Sequence, residues 1–257
     1  MQHLFLSDVH LGAFSNDENH RLEQELISLI RYCTEHNIRI HVLGDLFDYW
    51  MEFPDYTPPL GRELLEQFQQ YNKTCGNSTF ITGNHDCWTF GHLEKLGFSV
   101  EQEYLEMNIG GHSLFLFHGD GLADKRFNFP RPLLNHILRN KTLIIVYQTI
   151  FSGETGNHLM KSFSELTRNE DKQRPHRISE WAKDMLKKQS YDYIISGHDH
   201  VPRVETFSNG SYINTGAYFA YKTMALYNNN RFELVVWNST DNAFQPFDEN
   251  SKNIALQ

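Results

Sequence analysis

Apolar residues fall in short runs separated by helical patterns. His3–Leu6 has the character of a strand, and Asn19–His36 places Leu22, Leu26, Leu29 and Ile30 on one face of a helix. Ile38–Leu43 predicts a second, buried strand, and Gly61–Tyr71 a helix with Leu64, Leu65 and Phe68 as its apolar stripe. Thr79–Thr82 and Ser113–Phe117 predict a third and a fourth strand. This β-α-β-α-β alternation indicates an α/β core with parallel strands.

The segment 121–190 breaks the rhythm. It predicts helices over Pro132–Phe151, Asn157–Arg168 and His176–Gln189, punctuated by Pro130, Gly153, Gly156 and Pro175. Strands resume at Tyr193–Ser196, Arg203–Phe207, Ser211–Asn214, Thr223–Tyr227 and Phe232–Trp237, with a hairpin turn through Asn228-Asn229-Asn230, since Asn tolerates positive φ. The last twenty residues are polar and are expected to fray. The organisation is one domain over 1–240, a helical insertion over about 121–190 within it, and a polar tail over 241–257.

Composition narrows the classes. With 257 residues, 40% hydrophobic and 21% charged, the chain can bury a large core and is not a disordered protein. A net charge of −9 disfavours a nucleic-acid partner. Residues 121–190 hold 13 Lys/Arg against 7 Asp/Glu, either a basic functional face or a solvated helix surface. Cys33, Cys75 and Cys87 form no C-x-x-C pair, so a disulfide framework or a Cys-rich zinc site is not expected. The run Leu4–Leu6 is too short for a signal peptide, and Leu143–Val146 too short for a bilayer span. A cytoplasmic location follows as the expectation, with peripheral contact at the inner membrane surface left open. The oligomeric state is not legible.

The chemistry lies at the ends of the strands. Asp8-Val9-His10 follows the first, Gly44-Asp45 with Asp48 the second, Gly83-Asn84-His85-Asp86 the third, His118-Gly119-Asp120 the fourth, and Gly197-His198-Asp199-His200 the strand after the insertion. In open α/β sheets functional groups gather at the carboxyl ends of strands, so clusters far apart in sequence would meet. The i, i+2 spacing of Asp8/His10 and His198/His200 would point both members to one side, as on a strand, with Asp199 facing away. Carboxylate, imidazole and amide donors together suit Mn²⁺, with Fe or Zn²⁺ as alternatives, better than Mg²⁺ or Ca²⁺. Two such ions sharing a carboxylate polarise a phosphoryl oxygen and ionise a water. Each motif alone is common, and a lone histidine is more often a core or surface residue than a ligand. Five motifs in one order, each after an apolar run, are a different matter.

The set D-x-H … G-D-x-x-D … G-N-H-D … H-G-D … G-H-D-H resembles the calcineurin-like metallophosphoesterase superfamily over about residues 1–237. The resemblance implies an α/β (α+β) fold, a β-sandwich flanked by helices in αββα layers. It implies one metal held by Asp8, His10, Asp45 and His200, and a second by Asp45, Asn84, His118 and His198, with Asp45 as the bridge. It implies catalysis by His85, with Asn84, His85 clamping the phosphoryl group or protonating the leaving oxygen. Leu6-Ser7-Asp8-Val9-His10-Leu11, Gly44-Asp45-Leu46-Phe47-Asp48-Tyr49-Trp50 and His118-Gly119-Asp120-Gly121 further resemble the UDP-2,3-diacylglucosamine pyrophosphatases of lipid A synthesis. That family carries a helical lid where this chain has its insertion. The implied reaction releases UMP and a lipid monophosphate from a lipid-linked nucleotide, and Asp124, Arg126 and Arg131 are the candidate substrate contacts. The well-known lipid A enzymes have arginine in G-N-R-D where this chain has His85, which is nearer the general phosphoesterase pattern.

Leu133, Leu134, Ile137, Leu138, Ile144, Ile145 and Phe151, interleaved with Arg126, Arg131, Arg139 and Lys141, would serve acyl chains and a pyrophosphate or an anionic surface. The competing expectation is that most of these apolar residues pack the insertion on the core. Asp48 is read as a group that orients a ligand or as a helix cap, Asp86 and Asp120 as groups that orient ligands, Cys87 as packing, and Tyr49-Trp50 as cleft lining or core. Competing functions are a general phosphoesterase acting on nucleotides, cyclic nucleotides or phosphomonoesters, a nuclease, and a scaffold that has lost catalysis. A scaffold would have lost ligands, and here every position is filled.

Overall fold

The structure is a computed structural model and describes residues 1–167 and 174–248. The strands are β1 (His3–Leu6), β2 (Arg39–Val42), β3 (Thr79–Ile81), β4 (Ser99–Glu101), β5 (Tyr104–Ile109), β6 (His112–Phe117), β7 (Tyr193–Ser196), β8 (Arg203–Phe207), β9 (Gly210–Asn214), β10 (Thr223–Asn228), β11 (Arg231–Asn238) and β12 (Ala243–Pro246). The helices are α1 (Asn16–Glu35), α2 (Arg62–Cys75), α3 (His92–Lys95), α4 (Leu133–Leu138), α5 (Lys141–Ile150), α6 (Gly153–Thr167), α7 (Arg174–Lys188) and α8 (Tyr218–Tyr221).

Two sheets face each other. One has seven strands in the order β12-β11-β10-β1-β2-β3-β4, and the other five in the order β5-β6-β7-β9-β8. β1 to β4 run parallel, as the alternating pattern requires, and β6, β7 and β9 form a second parallel set. Side-chain alternation builds the layers. Phe5, Leu43 and Ile81 meet Leu114, Leu116, Ile195 and Ile213 between the sheets. Leu4, Leu6, Ile40 and Val42 point the other way, onto Leu26, Ile30, Leu64 and Phe68 of α1 and α2. On the outer face of the five-stranded sheet, Phe115, Phe117 and Ile194 pack on Ile178, Ala182 and Met185 of α7. The αββα sandwich implied by the resemblance is therefore present.

Local chemistry sets the helix starts. The Ser15 hydroxyl accepts from the Glu18 amide while the Glu18 carboxylate accepts from the Ser15 amide, a reciprocal cap that contributes about 1 kcal/mol. Asn140 does similar work inside the insertion. Its side-chain oxygen accepts from the Thr142 and Leu143 amides and starts a new helix, so the single helix expected over Pro132–Phe151 is two.

Several other expectations change. β4, β5 and α3 were not foreseen, and β5 turns into β6 through Gly110 and Gly111, both at positive φ. Part of the expected frayed tail instead forms β12, because Phe244 packs on Trp237 and Tyr32 while the backbone pairs with β11. Residue Arg168 and the tail beyond 248 lie outside the described residues. The apolar residues of α4 and α5 mostly do not pack on the core. Ile144 is buried against Met51, Phe53 and Trp88, but Leu133 is 75% exposed, Ile150 67% and Ile145 57%. α5 is largely apolar, and among the described residues only the side bearing Ile144 is buried. Among the described residues no helix is long and apolar enough to cross a membrane.

Candidate active site

The strand-end motifs converge. Asp8, Asp45 and Asn84 follow β1, β2 and β3 of the seven-stranded sheet, and His118 and His198 follow β6 and β7 of the other. Three groups of donor atoms lie close enough to hold an ion: Asp8 with His10 and His200, Asp45 with His118 and His198, and His10 with Asp48 and His85. The pairing of Asp8 with His10 is not made by strand alternation. Asp8, His10, Asp45, His198 and His200 all adopt positive φ, between 49° and 72°, so the chain leaves each strand in a left-handed turn that swings the side chain into the centre. Such backbone is costly for non-glycine residues and concentrates at functional sites. Closely packed glycines make room for it: a Cβ on Gly83 would lie 2.0 Å from Asp45 Oδ1 and one on Gly197 2.2 Å from Asp8 Oδ2.

Each candidate ligand is oriented by a second bond. Asp8 Oδ2 accepts from Ser7 Oγ at 2.5 Å and from the His198 amide at 2.8 Å. Its Oδ1 is buried without a hydrogen-bond partner and faces His200 Nε2 at 3.4 Å and His10 Nε2 at 3.8 Å. Asp45 Oδ1 accepts from the His85 amide at 2.9 Å, while Oδ2 lies 3.2 Å from His118 Nε2 and 3.6 Å from His10 Nε2. That oxygen therefore stands between imidazoles of the two sets, where a shared carboxylate belongs. His118 donates from Nδ1 to the Leu43 carbonyl at 2.8 Å, which leaves Nε2 facing Asn84 Oδ1, Asp45 Oδ2 and His198 Nδ1, each at 3.2 Å. His10 Nδ1 is 3.2 Å from Asp48 Oδ1, and its buried Nε2 has no hydrogen-bond partner.

So many lone pairs aimed at one another demand positive charge. Burial opposes the imidazolium of His10, yet Asp48, Asp8 and Asp45 outweigh it and push its pKa up to about 10. Burial is likewise overcome at His118, where Asp45, Asp8 and Asp120 push it up to about 10. Burial would raise Asp8 and Asp45 too, but the neighbouring histidines hold both carboxyls well below the usual carboxylate range. Protons or metal ions can meet this demand, and the mixed oxygen and nitrogen donor set, with buried unpartnered atoms pointing inward, fits a divalent metal pair.

His85 is also present. Its Nδ1 donates to the Asp48 carbonyl at 2.7 Å, its ring packs edge-on to His10, and burial pushes its pKa down. Asp48 thus contacts both rings, His10 through its carboxylate and His85 through its carbonyl. Asp86 accepts from the Gly83 and Leu46 amides, and burial with the charge of Asp45 pushes it up to about 7. Asp199 turns away from the centre and pairs with Arg203 at 2.7 Å. Cys87 packs among Met51, Phe53 and Trp88, Trp50 is buried core stacked on Phe47, and Tyr49 lines the cleft.

A cavity of about 1650 Å³ opens from this cluster beneath the insertion. Phe127, Phe129, Leu134, Met160, Ile178 and Trp181 give it an apolar side. Of the residues expected to contact substrate, Arg126 and Arg131 border the cavity, whereas Asp124 is bonded to Arg126. Arg131 is nearly buried and bridges Glu103 at 3.0 Å and Asp120 at 3.8 Å. Arg139, expected among the basic groups facing a ligand, is instead buried at the end of α4. It donates to the carbonyls of Thr82, Gly83 and Gln102 and pairs with Asp120 at 3.1 Å. It ties the insertion to the loop carrying Asn84 and His85. Nothing in its sequence neighbourhood distinguishes it from an exposed lid arginine.

Comparison with known proteins places the site in context. The family model described as calcineurin-like phosphoesterase matches residues 1–202. A UDP-2,3-diacylglucosamine hydrolase of Porphyromonas gingivalis is 29% identical over 117 residues, 45% of each chain. The proteins of that name from Shewanella piezotolerans and Shewanella loihica are 24% and 26% identical, spanning 91% and 80% of this chain and 98% and 84% of their own. The structure of an archaeal phosphodiesterase aligns over 92% of this chain and 99% of its own, at 14% identity and a TM-score of 0.49.

Proposed function

The chain belongs to the calcineurin-like phosphoesterase family and is a metal-dependent hydrolase, and on that premise we propose that it cleaves the phosphoanhydride of a UDP-2,3-diacylglucosamine-type substrate, releasing UMP and a lipid monophosphate. The observation that carries the reading is the cavity of about 1650 Å³, which joins the carboxylate–imidazole cluster to an apolar space under the insertion. A nucleotide or phosphomonoester alone needs no such space. The relatives that span most of their length in common with this chain bear the corresponding name.

In this reading Asp8, His10, Asp45 and His200 hold one divalent ion and Asp45, Asn84, His118 and His198 the other. Bound there, the pair would polarise the phosphoryl oxygens and make water nucleophilic near neutral pH; Mn²⁺ is our choice, with Fe or Zn²⁺ as alternatives. The protein's own part is orientation and proton handling. Asp45 spans the two positions with one oxygen while the His85 amide holds the other. With Nδ1 bound to the Asp48 carbonyl, His85 has only Nε2 to offer the substrate. In its protonated form that nitrogen clamps a phosphoryl oxygen and then delivers the proton to the leaving oxygen; the negative phosphate favours the protonated form, which burial alone disfavours. Arg126 at the cavity rim is the candidate contact for the second phosphate. The exposed apolar residues Leu133, Ile145 and Ile150 support peripheral contact of the insertion with the inner membrane surface from the cytoplasmic side.

Purified protein loaded with Mn²⁺ should release UMP from UDP-2,3-diacylglucosamine in mixed micelles far faster than it hydrolyses simple phosphate esters. Turnover of the simple esters alone would leave a general phosphoesterase and remove the lipid substrate.

A further inference from the structure

The insertion supplies one side of the cavity, joined to the His118 end of the cluster through Gly119, Asp120 and Arg131. The other end, at Asp8 and His200, is built differently. His200 follows its strand in a left-handed turn, has a side chain 41% exposed, and meets the Phe219 ring edge-on at 5.4 Å. His10 meets the same ring at 5.6 Å and 86°. Phe14, from the turn before α1, lies 5.4 Å from Phe219 with the two planes inclined at 46° rather than stacked. Both phenylalanines are half-buried: they pack against the core cluster of the seven-stranded sheet, and both also border the cavity. The result is a shelf of two inclined aromatic rings, anchored from behind, beside the Asp8 and His200 end of the reacting centre.

We propose that Phe14 and Phe219 form the platform on which the nucleobase of the substrate stacks. The inference rests on the reading of the substrate as a lipid-linked nucleotide, and it assigns the two halves of such a molecule to opposite sides of the cluster. An anhydride held at the centre must send one substituent each way. The lid side has flexible apolar side chains such as Leu134, Met160 and Met185, suited to acyl chains. The shelf has rigid π-faces, which suit a flat heterocycle and tolerate any base. Because Phe219 touches both His10 and His200, a base seated on it also holds the attached phosphate close to those two imidazoles.

The test compares the affinities of the Mn²⁺-loaded protein for UMP and for ribose 5-phosphate by calorimetry. The two share the sugar phosphate and differ in the base. The wild type should prefer UMP by roughly ten- to a hundred-fold, the range that base–aromatic stacking supplies. Phe14→Leu and Phe219→Leu, which keep an apolar side chain against the core, should each shrink that ratio several-fold. Phe14→Trp should preserve or widen it. Equal affinities in the wild type, absence of binding included, would overturn the proposal, as would a ratio unmoved by both leucine variants. A base preference that depends on Phe14, in a protein that fails to hydrolyse UDP-2,3-diacylglucosamine, would keep the platform and discard the lipid substrate. Hydrolysis of that substrate without any base preference would discard the platform alone.

Discussion

Replacing Arg139 with methionine removes a buried charge that reaches from the end of α4 beneath the Gly83–Asp86 loop. The guanidinium side chain is 7% exposed and donates at 2.7 Å to Thr82 Oγ1 and to the Gln102 and Gly83 carbonyls, at 3.0 Å to the Thr82 carbonyl, and at 3.1 Å to Asp120. Methionine fills most of the space but donates nothing. Asp120 then keeps Arg131 at 3.8 Å and Asn135 at 3.4 Å, poor compensation for a buried carboxylate, and three carbonyls lose a donor. Removing one member of a buried ion pair costs about 3–5 kcal/mol. At about 2–4 °C per kcal/mol for a chain of this size, the melting temperature should fall by roughly 6–20 °C. Differential scanning calorimetry measures that fall, and Asp120→Asn in the Arg139→Met background should recover part of it by neutralising the stranded charge. A fall under about 2 °C would mean the contacts of Arg139 are made equally well by water, and the anchoring role would have to be withdrawn.

Other expectations are as direct. Asp45→Ala should reduce turnover to background and lower metal content in elemental analysis; a near-normal rate would refute the shared carboxylate. His85→Ala should lose roughly 10²–10⁴-fold in kcat with metal retained, and loss of the metal instead would make His85 a ligand. His41, buried between the sheets and bonded to His3 and Thr79, has its pKa lowered to about 3, first by burial and then by His3 and Arg39. It folds neutral, so the unfolded chain binds the extra proton as pH falls below about 6.5, and stability should drop by about 3 kcal/mol between pH 6.5 and 4. Urea titrations of His41→Phe, which retains the stack on Phe5, should show a flatter acid limb; parallel curves for variant and wild type would dismiss the histidine.

Much of the candidate site could be read before any coordinates because each ligand motif follows a strong apolar run, and strand ends have only one place to converge. Asp8, Asp45, Asn84, His118 and His198 are brought together on that logic. The backbone that joins them was not legible: the left-handed turns at Asp8 and Asp45 are packed against Gly197 and Gly83, and those at His10 and His200 are likewise not a local preference of histidine. β5 escaped because Tyr104–Ile109 is a partly exposed edge strand, although Gly110-Gly111 was a hairpin signal in plain view. The fates of Arg126 and Arg139 could not be told apart by composition. One is at the surface with Asp124 and the other is buried under the Gly83–Asp86 loop, a difference decided by tertiary position.

The division of candidate ligands between two sheets has a consequence for biosynthesis. Asp8, His10, Asp45 and Asn84 are all translated more than a hundred residues before His198 and His200. At the usual elongation speed the delay between Asp45 and His198 is about 8–30 s. During it the nascent chain carries Asp8, His10, Asp45 and Asn84 and then gains His118, and the last two candidate imidazoles, His198 and His200, follow only with the strand after the insertion. The donors contributed by the seven-stranded sheet thus wait for those of the five-stranded sheet, and the full candidate set is assembled only once the two sheets have docked.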